Sequence, residues 1–218
     1  MKKLKVFLLM LAMSAALTNQ TRAAGTNVLY HNDFEQSAVD TLPEGFLALD
    51  GDFKVKEAEG NKLLELPGAP AESFYGVLFG PVTNSGVCVS ARIYGTATKR
   101  RYPSFGVGLG GATGFCLRVS PGKQMLELYQ GEEVRTNTPF AWKTGTWTLL
   151  RLQIRAVADQ AWKIEGKAWP QGAEEPKEWT LVAEEKEAPT GGRQSVWGTP
   201  YSGTPIWFDD LEVTNERD

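Results

Sequence analysis

From Val87 to Trp169 apolar and polar residues alternate with a period of two, in one short run after another. Successive side chains of a strand point to opposite faces, so the pattern specifies antiparallel strands with one face in a core and the other in water. Parity sends Val87, Val89, Ala91 and Ile93 inward, then Phe105, Val107 and Leu109, then Phe115, Leu117 and Val119. Leu126 and Leu128 follow, then Leu150, Leu152 and Ile154, then Trp162, Ile164, Gly166 and Ala168. Burying each large apolar side chain is worth about 1.5–3 kcal/mol, and a one-residue slip would expose the whole set, so the register is strongly specified. The water-side positions are unusually charged: Arg92, Arg118, Glu127, Arg151, Arg155 and Glu165, with Tyr94, Tyr129 and Trp169 among them.

No long window carries helical periodicity. Strands bounded by Gly, Pro, Asn and Asp are expected at Val28–Phe34, Phe53–Glu57, Lys62–Leu66, Gly76–Phe79, Val87–Tyr94 and Ser104–Leu109. Six more are expected at Phe115–Ser120, Met125–Gln130, Trp147–Arg155, Trp162–Trp169, Thr180–Glu184 and Ile206–Val213. A single open sheet of that many strands would curl or split. The fold class is therefore all-β, a two-layer antiparallel β-sandwich. Ala183 to Arg193 reads as an ordinary loop.

The N-terminus sets the compartment. Met1 to Lys5 is basic, Val6 to Leu17 is apolar and uncharged, and Thr21-Arg22-Ala23 offers small residues for cleavage before Ala24. Residues 1–23 are expected to be a signal peptide and 24–218 a single sandwich domain. The product is exported, to the periplasm, the cell surface or the medium. The apolar stretch is short for a span, and no later stretch approaches about 20 apolar residues, so no membrane insertion is expected after signal removal. Cleavage takes the 23 basic residues to about 19, against 26 acidic, leaving a net charge near −7. That balance disfavours nucleic acid and anionic membrane, which need a cationic field. The run Lys99-Arg100-Arg101-Tyr102 is the local exception and reads as a solvated turn.

Two cysteines, Cys88 and Cys116, are a possible pair in an oxidising compartment. They bridge if their strands are neighbours and stay free if the strand Ser104 to Leu109 separates them, at about two spacings of ~4.8 Å. Two thiols and one histidine, far apart in sequence, make no metal site.

Gly106-Val107-Gly108-Leu109-Gly110-Gly111 fits the G-x-G-x-x-G pattern of dinucleotide sites, but that fingerprint needs a following helix. Here the glycines alternate within a strand and enter a turn. Gly106 and Gly108 instead leave a trough between flanking side chains, bordered by Arg92 and Arg118. Glycoside hydrolysis wants two carboxylates about 5–9 Å apart, one with a raised pKa. Glu127 and Glu165 are single acids on separate strands, and Arg118 and Arg151 are placed to pair across the sheet with Glu127. His31 stands outside any G-x-S-x-G context and reads as a surface residue.

The two ends carry a resemblance. Asn32-Asp33-Phe34-Glu35 with Leu42-Pro43-Glu44-Gly45-Phe46, and Phe208-Asp209-Asp210-Leu211-Glu212-Val213 near the C-terminus, resemble the ends of secreted concanavalin A-like lectin/glucanase sandwiches, LamG-like domains of jelly-roll form. The resemblance covers most of the chain after the signal in pattern, through short motifs. It implies terminal strands side by side and a structural Ca²⁺ held by Asp33 or Glu35 and Asp209, with a backbone carbonyl near Gly51. The alternative is that Asp209 and Asp210 only end a strand and cap turns. Catalytic members of the glucanase branch carry a clustered acidic strand motif that this sequence lacks.

The expected function is non-catalytic binding of a polysaccharide or glycan on one charged sheet face. Arg92, Arg118, Glu127, Tyr129, Arg151, Gln153 and Trp169 line that face, with the tyrosine and tryptophan as platforms for sugar rings. Guanidinium groups match carboxylates in two-point contacts, which leans the ligand toward acidic sugars. Trp197 is expected on a loop at the rim. The alternatives are a glycoside hydrolase or polysaccharide lyase using Glu127 or Glu165, and a structural cell-envelope protein.

Overall fold

The alternation resolves into fifteen strands and no helix among the residues that the computed structural model describes, 27–69, 73–84 and 86–216. The signal-peptide expectation for residues 1–23 lies outside them. In chain order the strands are β1 Val28–Asn32, β2 Leu47–Asp50, β3 Lys54–Ala58, β4 Asn61–Leu66, β5 Tyr75–Thr83, β6 Val87–Gly95, β7 Ser104–Leu109 and β8 Phe115–Ser120. Then come β9 Met125–Gln130, β10 Glu133–Pro139, β11 Thr146–Ala158, β12 Ala161–Pro170, β13 Leu181–Glu185, β14 Gly192–Thr199 and β15 Ile206–Asn215.

Two antiparallel sheets form a sandwich. The eight-stranded sheet runs β13-β12-β11-β6-β15-β4-β3, with β1 also on β15, and the seven-stranded sheet runs β10-β9-β8-β7-β14-β5-β2. The chain therefore crosses to the other layer and back around β2 and around β5, changes layer between β6 and β7, returns between β10 and β11, and crosses twice more around β14. Every residue assigned inward by parity is buried except Trp162, which is half-buried at the margin. Gly166 faces Leu117 of the opposite sheet so closely that a Cβ there would overlap the leucine side chain.

Three strands were not expected: β2, β10 and β14. The last matters most, because it lies between β7 and β5 in the middle of its sheet. Trp197 is thus a central strand residue and not part of a rim loop. Its alternation was faint in sequence, since Gly198 is one of its few inward positions and Gln194 another. The glycine run ends β7 and turns through Gly110 and Gly111, both at positive φ, into β8, with no helix to meet a pyrophosphate.

Candidate functional site

The expected single charged face is corrected by the layer changes. Arg92, Arg151, Gln153 and Trp169 lie on β6, β11 and β12, on the outer face of the eight-stranded sheet. Arg118, Glu127 and Tyr129 lie on β8 and β9, on the outer face of the other sheet. Parity separates inside from outside, but a sandwich has two outsides.

On the eight-stranded face the arginines are tied within the molecule. Arg92 pairs with Asp209 at 2.6 Å and with Asp210 at 2.8 Å. Both aspartates reach it because a β-bulge in β15, with Asp210 at φ 48°, sets two residues against one. Arg151 pairs with Glu175 and not with Glu127, and Arg155 pairs with Glu165 at 2.8 Å. Gln153, fully buried, donates to Glu165 at 2.7 Å. Trp169 is buried, with the Arg151 guanidinium 5.6 Å from its ring centroid. Tyr94 stacks on Trp207 and tilts against Trp147, whose ring Arg92 covers at 4.6 Å. These rings face one another, as a structural ladder does.

The seven-stranded face is arranged differently. Gly76, Trp197, Gly106, Arg118 and Glu127 are successive cross-strand partners on β5, β14, β7, β8 and β9. Both neighbours of Trp197 in that row are glycines, so the indole has room to lie down, and a Cβ on Gly76 would overlap it. Its Nε1 donates to Ser195 Oγ at 2.7 Å. Gly106 leaves a slot between Trp197 and Arg118, which the ring of Phe74 fills. Phe74 stacks on Trp197 with centroids 5.1 Å apart and planes 11° apart, and the Arg118 guanidinium lies 3.7 Å from its other face. The two contacts together span close to two strand separations of ~4.8 Å. Arg118 also lies 4.0 Å over the ring of Tyr129.

This stack of indole, phenyl, guanidinium and phenol borders a cavity of about 450 Å³ lined also by Gly114, Cys116 and Glu132. A second cavity of about 250 Å³ adjoins it at Arg118 and Tyr129 and extends to Arg100, Tyr102 and Tyr201. The Lys99–Tyr102 turn, expected to be a solvated cap, thus borders the groove. The trough expected over Gly106 and Gly108 is present, flanked by Trp197 and Arg118 and not by Arg92.

Glu127 does not pair with Arg118. Its carboxylate takes hydrogen bonds from Ser120, from Lys123 at 2.9 Å and from Tyr129 at 3.2 Å. Burial pushes its pKa up, and those donors outweigh it, so the net direction is down. Glu165 behaves alike: burial raises it, while Arg155 and Gln153 bring it below the usual value. Both acids are held ionised, on opposite faces, and cannot work as an acid–base pair.

The residues expected to hold calcium are bonded to groups of the chain itself. Asp209, fully buried, accepts from Asn61 at 2.8 Å and Arg92 at 2.6 Å through Oδ2, and from the Asp210 amide at 2.7 Å through Oδ1. Glu35 Oε1 accepts the Lys62 amide at 3.0 Å, and the Lys62 ammonium donates to the carbonyls of Glu35 and Ser37 at 3.1 and 2.9 Å. Asp33 accepts the Glu35 amide at 3.2 Å. Calcium needs six to eight oxygens; here Asp209 is shared by Arg92, Asn61 and a backbone amide, while Asp33 and Glu35 each accept a backbone amide. Among the described residues no group of three His, Cys, Asp or Glu side chains is placed to hold a metal.

Cys88 lies on the outer side of the eight-stranded sheet and Cys116 on the outer side of the other; both are buried and no disulfide joins them. His31 is exposed, as expected. The signals missed in sequence were Trp197, whose strand was unrecognised, and Phe74, which precedes β5 and belongs to no alternating run.

No family model matches the sequence, and no curated protein matches it. Solved structures do match the fold. The carbohydrate-binding module CBM66 from Bacillus subtilis is 10% identical, with a TM-score of 0.52 over 78% of this chain and 94% of its own. A β-1,3-glucanase from Mycobacterium marinum is 13% identical, with a TM-score of 0.56 over 85% and 98%. An endo-β-1,4-glucuronan lyase from Trichoderma reesei is 13% identical, with a TM-score of 0.51 over 87% and 96%. With two antiparallel sheets in this order, the chain has the fold of the concanavalin A-like lectin/glucanase sandwiches.

Proposed function

We propose that this chain is an exported, non-catalytic glycan-binding domain that holds a polysaccharide across the outer face of its seven-stranded sheet. The observation that carries the reading is the stack of Trp197, Phe74, Arg118 and Tyr129 along a glycine-floored groove. Aromatic rings offer flat apolar surface to the C–H faces of sugars, and polar groups beside them orient hydroxyls. The fold is one that a carbohydrate-binding module also uses. Binding without cleavage is favoured because Glu127 is held ionised by three donors, whereas a glycosidic general acid needs a raised pKa. The opposite face is a poorer platform, since its arginines and rings are already partnered.

Binding to an array of plant, bacterial and host polysaccharides tests the proposal. Trp197→Ala should abolish retention, and Arg151→Ala, on the opposite face, should leave it intact. Absence of binding to every polysaccharide class, with the wild-type protein folded, overturns it. N-terminal sequencing of the protein from the exported fraction should begin at Ala24.

A further inference from the structure

We infer that the slot now filled by the Phe74 ring is itself a sugar subsite, built for a pyranose that bears a carboxylate, and that Phe74 holds the place until such a sugar displaces it. The inference rests on the glycan-binding reading above and deepens it.

Trp197 has two ring faces. One rests against Gly76, where no Cβ could fit, and the other is covered by Phe74 at 5.1 Å. A ligand that stacks on this indole therefore has to take the position of the phenyl ring. A pyranose chair is puckered and thicker than a phenyl ring, but it is also six-membered and presents a C–H face of similar footprint, so it can stack on the indole in the place of the phenyl. Phe74 is half-buried and lies one residue before β5, outside any strand ladder, so its ring can leave without breaking sheet hydrogen bonds. The adjoining cavity of about 450 Å³ offers room for the displaced ring and for neighbouring sugars.

The opposite wall of the slot is Arg118, and it differs from most other strand arginines: Arg193 donates to the Gly80 and Gly45 carbonyls, and the rest are ion-paired. Arg92, Arg135, Arg151 and Arg155 each pair with a carboxylate. Among the described residues no carboxylate stands within ion-pair distance of Arg118, and its Nε lies buried with no hydrogen-bond acceptor. The nearest acid across the ladder, Glu127, is taken up by Ser120, Lys123 and Tyr129. A guanidinium left without an anion beside a stacking surface matches a planar carboxylate carried on the stacked ring. Arg100, at the far end of the adjoining cavity, adds positive charge along the same groove.

The test is titration calorimetry of the folded protein with oligogalacturonate and oligoglucuronate, with carboxyl-reduced preparations of each, and with a sulfated galactan oligomer. Wild type should prefer the uronates, and Arg118→Gln should remove that preference. A site open only part of the time binds more weakly by that fraction, so Phe74→Ala should tighten uronate binding by about three- to tenfold. Phe74→Leu, which keeps more of the packing, serves if Phe74→Ala melts early. Weaker or unchanged uronate binding in both Phe74 variants overturns the place-holder role. Equal affinity for uronate and reduced sugar, or for uronate and sulfated sugar, overturns the carboxylate assignment. Either result with binding still lost in Trp197→Ala leaves glycan binding standing, whereas no binding of any sugar to wild type or the Phe74 variants removes both.

Discussion

Gly76 and Trp197 are cross-strand partners, and the indole lies so close to Gly76 that a methyl group there would overlap the ring. Glycine in a strand interior usually weakens it, but here it lets a large side chain lie along the sheet. Gly76→Ala should tip the indole away and cost about 1–3 kcal/mol, the range for overpacking. Thermal denaturation checks the stability. Retention on the glycan that binds wild type checks the site, and it should fall sharply.

Acid should unfold the protein through Glu127 and Glu165. Both have pKa values below the ordinary one in the folded state. Their stabilisation is therefore complete above the unfolded carboxylate value of about 4.3 and is lost as pH falls through the lower folded values. Melting temperature should drop below about pH 4.3. Glu165→Gln should flatten that drop while lowering stability at neutral pH, where Arg155 loses its partner.

Asp209 is buried against Arg92 and Asn61 at the join between the terminal strand and β4. Removing one partner of such a pair strands the other, at a cost of about 3 kcal/mol. Asp209→Ala should show that loss by urea denaturation. Because Arg92 and Asn61 share Asp209 Oδ2 and a backbone amide takes Oδ1, a chelator should leave the wild-type melting temperature unchanged.

The two thiols should both react after denaturation without any reductant. They lie on opposite outer faces of a sandwich whose layers are about 10 Å apart. Burial pushes the Cys116 thiol up to about 11, against the Arg118 charge beside it, so native protein should react slowly with thiol reagents at neutral pH. One thiol or none after unfolding would contradict the layer assignment.

Period-two alternation made the strands from Val87 to Trp169 and their inward residues legible, because a buried side chain must be apolar wherever its strand lies. The double aspartate between Phe208 and Leu211 was legible only as a metal ligand or a strand end, and the structure makes it a bulge inside β15. Leu47–Asp50, Glu133–Pro139 and Gly192–Thr199 were hidden, since edge strands carry little apolar signal and β14 faces the core with Gln194 and Gly198. Phe74 was beyond reach, because its partners Trp197 and Arg118 lie on other strands, far away in sequence.

What the sequence determined alone was which side of each strand meets oil and which meets water, a local property of alternating side chains. Which water-facing side each strand presents was decided only by the tertiary structure. The chain changes layer between β6 and β7 and again between β10 and β11, and a crossover leaves no mark on parity. Thus Arg118 and Arg151, alike in sequence context, look outward from opposite walls, one against the rings of Phe74 and Tyr129 and the other closed by Glu175.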